Sequence, residues 1–162
     1  MKILTIPLIC FWMASSPALA QNLPDCPPES ENIMDFSRVH LDKIKGDYKE
    51  NMLSRGRVME SLISELRAAD RWDKRAREAW DDETQSSPEF KQSVEAMKAA
   101  QAAEDPALIA LVKSMNGPRK AACQAMDKYL QTQLDFFAEN YRQLDMGEKR
   151  LRNRLETAPS PK

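Results

Sequence analysis

Residues 119 to 156, RKAACQAMDKYLQTQLDFFAENYRQLDMGEKRLRNRLE, carry the pattern that decides the fold. Within them Cys123, Met126, Leu130, Gln133, Phe137, Asn140, Leu144, Gly147 and Leu151 step by alternating threes and fours. That spacing is close to the period of about 3.5 residues at which helices pack along a shared seam. Gln133, Asn140 and Gly147 are poor core residues at these places, so the seam is coiled-coil-like rather than ideal. Asp145 with Lys149 and Glu148 with Arg152 add support one turn apart. Lys149, Arg150, Arg152 and Arg154 complement the negative pole of the helix. Tyr129, Phe136, Phe137 and Tyr141 are too widely spread for one seam, so some of these rings meet another helix or a partner.

Upstream of this helix, Asn116-Gly117-Pro118 is a stop and restart. Ser87 before Pro88 is an N-cap and first-turn pair. Asp105-Pro106 interrupts an Ala-rich run, which predicts two short kinked helices over residues 88 to 115. Pro28 and Pro88 bracket a proline-free stretch in which Leu41, Ile44, Tyr48, Met52, Met59, Leu62, Leu66, Ala69, Ala76 and Trp80 recur at helical spacings. This is one long amphipathic helix or two in series, with Gly46 and Gly56 as break points, ended by the polar run from Asp81 to Ser87. A continuous helix from 30 to 82 would be about 80 Å long against about 42 Å for the 88 to 115 return. Either the first helix bends back near one of the glycines, or an N-terminal arm supplies the missing reach.

Only eleven of the 142 residues after position 20 are Val, Ile or Thr, while Ala, Leu, Met, Glu, Lys, Arg and Gln abound. The class is all-α, an elongated three- or four-helix bundle with long coiled-coil-like helices. The charged groups are 24 Lys and Arg against 25 Asp and Glu, interleaved along the chain, which argues against a nucleic-acid partner.

The first twenty residues, MKILTIPLICFWMASSPALA, join a positive start at Lys2, an apolar stretch and an Ala18-Leu19-Ala20 cleavage signal. They read as a secretory signal peptide for export to the periplasm, too short in its apolar part to span a membrane. The expected division is a signal over 1–20, an arm over 21–30, a helical domain over 31–156 and a flexible tail over 157–162. Removing the signal takes Cys10 with it and leaves Cys26 and Cys123, which in an oxidising compartment form one disulfide. The alternatives are two free thiols or a bond to another chain.

Residues able to run a reaction are few. His40 is the single histidine and is read as a helix residue. The four glycines are isolated, so no phosphate-cradling loop forms, and no C-x-x-C pair is present. Asp81-Asp82-Glu83 lacks the oxygen spacing of a calcium loop and is read as a solvated helix end. The methionines after position 20 form no M-x-M or M-x-x-M cluster and are read as core filling rather than copper ligands. Trp72, Arg75 and Trp80 place two tryptophans eight residues apart on one helix face with arginine beside them, a pattern that suits packing at the end of a bundle with arginine on the ring and is also the first candidate contact surface. Phe136 and Tyr141 are the second.

These residues point to a non-enzymatic exported protein without a cofactor. Its work is contact with another envelope or secreted protein, as a secretion accessory or chaperone-like factor. The alternatives are an inhibitor or immunity protein occluding an exported enzyme or toxin, and a bundle binding copper or a small molecule. The long helices can also pair between two copies in a homodimer.

Overall fold

The computed structural model describes residues 23 to 157. The signal peptide read over 1–20 and nearly all of the tail lie outside them. Four helices follow in order: α1 (Ile33–Ala68), α2 (Lys74–Ser86), α3 (Pro88–Ser114) and α4 (Arg119–Glu156), with no strand among the described residues. The all-α expectation is met, and the disulfide joins Cys26 to Cys123 across a Cα separation of 5.5 Å.

Side chains set most of the boundaries. Asn32 Oδ1 accepts the backbone N–H groups of Met34 at 2.8 Å and Asp35 at 3.3 Å, satisfying two of the donors that a helix start leaves open. Asp73 does the same for α2 through Ala76 N–H at 2.7 Å. Ser87 caps α3 through Phe90 N–H, with Pro88 in the first turn as expected. The restart at Pro118 opens α4.

Two expected interruptions are absent. The first helix runs unbroken through Gly46 and Gly56, because a glycine costs a helix only about 1 kcal/mol. Burial of Leu41 and Ile44 on one side of them and Leu62 and Leu66 on the other holds α1 in line. The break comes instead at 69–73, where Asp70 takes a left-handed φ of 55°. There Arg71 N–H closes back on Leu66 O at 2.8 Å, a wrap usually supplied by glycine. Likewise α3 continues through Pro106 rather than splitting at Asp105. Proline removes the bond that Ala102 O would accept from position 106, at a cost of about 3 kcal/mol. Burial of Ala107 and Leu111 against the core, within the next two turns, offsets it.

The reversal at 69–73 also resolves the mismatch in length. The return is made by α2 and α3 in series, 13 and 27 residues, against 36 in α1 and 38 in α4. The polar run that was read as ending the first helix is the second half of α2. Each of the other helices packs on α4, whose buried face supplies Cys123, Met126, Leu130, Phe137 and Leu151 of the seam. The core falls into two parts. A large one, reaching from Ile33 and Ala122 to Tyr141, unites α1, α3 and α4. A small one of Leu62, Leu66 and Leu151 lies at the other end of α4. No helix among the described residues is long and apolar enough to cross a membrane.

Candidate functional site

At the small core, Trp72 and Trp80 meet edge to face, ring centroids 5.9 Å apart and planes at 64°. They do not share a helix face: Asp73 caps α2, so Trp72 lies in the link before it and only Trp80 is helical. The two rings meet because the link folds back, and both are half-buried against Leu62, Leu66 and Leu151. Gly147 is the seat of the Trp80 ring. A Cβ there would stand 3.2 Å from Trp80 Cζ2 and 3.5 Å from Met59 Cε. The Trp80 indole N–H donates to Gly147 O at 3.2 Å. The residue that looked wrong for a core seam is therefore the one that admits the indole.

Arginines hold this end to the tip of α4. Arg71 donates to Leu155 O at 3.1 Å and to Arg154 O, capping carbonyls that the helix end leaves open. Arg154 in turn donates to Ala76 O at 3.1 Å and pairs with Glu83 at 3.0 Å, which gives part of the acidic run on α2 a partner. Arg75 is exposed on α2.

The aromatic group on α4 divides. Tyr141, expected at a contact surface, is 2% exposed and donates from its phenol to Tyr48 O at 3.2 Å. Tyr48 stacks on Phe137 with centroids 4.1 Å apart. Burial pushes the phenols of Tyr48, Tyr129 and Tyr141 above their ordinary value. Phe136 is half-buried and meets Phe137 at an edge. Rings too many for one seam are accounted for because α1 and α3 both pack on this helix.

At the opposite end the arm is held twice. The Cys26–Cys123 bond ties it to α4, and the Arg119 guanidinium donates to Pro27 O at 2.7 Å, to Pro28 O and to Glu31 O at 3.2 Å. Asp127 sits beside this junction, its carboxyl pushed above its ordinary value by burial and then by the charge of Asp25.

Elsewhere the chemistry is local. His40 Nδ1 lies 3.0 Å from Phe36 O and its ring lies on Phe36. No cluster of three or more His, Cys, Asp or Glu able to hold a metal ion occurs among the described residues. Met126 is buried and Met34, Met52, Met59 and Met115 pack against the cores, in keeping with core filling. What sequence reasoning missed are large apolar side chains pointing outward. On α1 these are Val39, 63% exposed, and Leu53, 59%. On α3 they are Ile109 at 53% and Val112 at 52%.

The arrangement defines a disulfide-tied helical bundle in which α1 and α3 flank a central helix and keep apolar groups on their outer faces. Comparison of the chain with family models, with curated proteins and with solved structures finds no match.

Proposed function

We propose that this is an exported, non-enzymatic protein of the periplasm that works by contact with another envelope or secreted protein, as an accessory or chaperone-like factor. The observation that carries the reading is the outer face of α3. Ile109 and Val112 are more than half exposed there, and they follow Pro106, Ala102 and Ala99, all exposed and without charge. Exposed apolar groups gathered on one helix face suit an apolar segment of a partner. Pro106 adds a polar feature, since Ala102 O lacks its usual helical donor and can accept one from outside. The disulfide supports export, because such bonds persist in oxidising compartments.

A photo-activated cross-linker placed at Ile109 in the native host tests this. Adducts to other envelope proteins are expected, and Ile109→Glu should abolish cross-linking from Val112 while leaving the melting temperature within a degree or two. Many adducts indicate a chaperone-like role and a single one an inhibitor. Cross-linking no greater than from an exposed control site on α2 overturns the proposal.

A further inference from the structure

The outer face of α1 carries a second surface, independent of α3. Val39, Gly46 and Leu53 repeat at intervals of seven, and a heptad step drifts only about 20° round a helix. The three therefore form one stripe, on the side away from buried Leu41, Ile44 and Leu62. Val39 and Leu53 are the two most exposed large apolar residues among those described. Between them, a Cβ on Gly46 would meet nothing within 4 Å. Nothing within the chain thus explains a glycine in mid-helix, which is unfavourable relative to alanine. A bare backbone flanked by two exposed apolar side chains is the form that a close helix crossing takes from outside.

We infer that α1 pairs with α1 of a second copy, antiparallel about a two-fold axis passing beside Gly46. Such an interface is isologous, the same patch used twice. The axis brings Val39 of each copy against the partner's Leu53, and the helices approach most closely where Gly46 meets the partner's Gly46. The charges on the flanks agree. At about 100° per residue, Asp42 and Lys49 lie on one side of the stripe, Lys43 and Glu50 on the other. Reversal about the axis sets Asp42 against the partner's Lys49 and Lys43 against the partner's Glu50. A parallel pair would match these four as well, but it would also set Asp35 against the partner's Asp35 and Arg57 against the partner's Arg57. In the antiparallel pair Asp35 meets the partner's Arg57, so charge selects that direction. The present partners of Asp35 and Lys43 are Arg38 and Asp47, both at 2.9 Å on the same helix. These exposed pairs hold their side chains weakly enough to turn.

Sedimentation equilibrium of the full chain, with cysteine cross-linking in a Cys10→Ser background, tests the pairing. A dimer is expected at tens of micromolar, weakened at least tenfold by Leu53→Glu with the circular dichroism spectrum unchanged. Gly46→Cys should cross-link to itself on mild oxidation. Val39→Cys should cross-link with Leu53→Cys in a mixture and not with itself. A monomer at 200 µM, or self-linking by Val39→Cys, overturns the inference. A dimer broken by Ile109→Glu and untouched by Leu53→Glu also overturns it, because association then belongs to α3. Loss of partner adducts from α3 in a protein still dimeric through α1 leaves the inference standing and removes only the proposed function.

Discussion

The two ends of α4 are held by different physics. At the cysteine end, three helices close over a broad apolar core, and a covalent bond ties the arm to the central helix. At the tryptophan end the buried core is three leucines, and the remaining hold comes from two half-buried indoles, a glycine seat and guanidinium groups on backbone carbonyls. One end is stabilised by apolar area and by restriction of the unfolded chain. The other depends on the fit of single residues, so each should respond to perturbations that leave its counterpart alone.

The largest effect is expected from removing the covalent tie. The disulfide closes a loop with a sequence separation of 97. Cys26→Ser with Cys123→Ser should lower unfolding free energy by about 2 to 5 kcal/mol in denaturant titrations. The emission wavelength of the folded protein should change little, since Trp72 and Trp80 lie at the other end.

Next in size is the glycine seat. Gly147→Leu forces side-chain atoms into the space of the Trp80 ring, and overpacking of this kind costs about 1 to 3 kcal/mol. Tryptophan emission should shift to the red while the arm keeps its protection, the mirror image of the cysteine variant. An unshifted spectrum would mean that the indole does not depend on that seat.

Arg71→Ala should cost about 1 to 2 kcal/mol by removing two charge-assisted bonds to the carbonyls of Arg154 and Leu155. Hydrogen exchange should quicken in the last turn of α4 and hardly elsewhere.

The smallest effect belongs to Asp127. Its carboxyl is raised in the folded state, so the folded form holds the proton more readily than the unfolded one. That contribution is complete below the ordinary value of 3.8 and is lost as pH rises through the raised one. At neutral pH the charged Asp127 is a slight liability, screened by solvent. Asp127→Asn should gain less than about 0.5 kcal/mol, with the gain fading as melts are taken below pH 4.

The cysteine end was the more legible in sequence. Its seam from Cys123 to Phe137 keeps a regular period, and its restart at Pro118 is a short-range signal. The tryptophan end was misread for reasons that are long-range. Gly147 and Trp80 are 67 residues apart, and nothing near Gly147 says that an indole needs the room. The turn at Asp70 was passed over because Gly46 and Gly56 looked like better breakers, although Asp takes the left-handed region more readily than most residues. Pro106 and Tyr141 were judged locally, and burial decided both. The outer stripe of α1 was visible as a seven-residue spacing, but exposed apolar residues taken singly carry little information.

Residue-resolved hydrogen exchange on the oxidised and reduced protein tests the separation of the two ends most directly. Reduction should speed exchange over 33–45 and 119–130 by a much larger factor than over 60–68 and 147–156. Equal factors in all four segments would contradict it, showing that α4 transmits the loss from end to end as one cooperative unit.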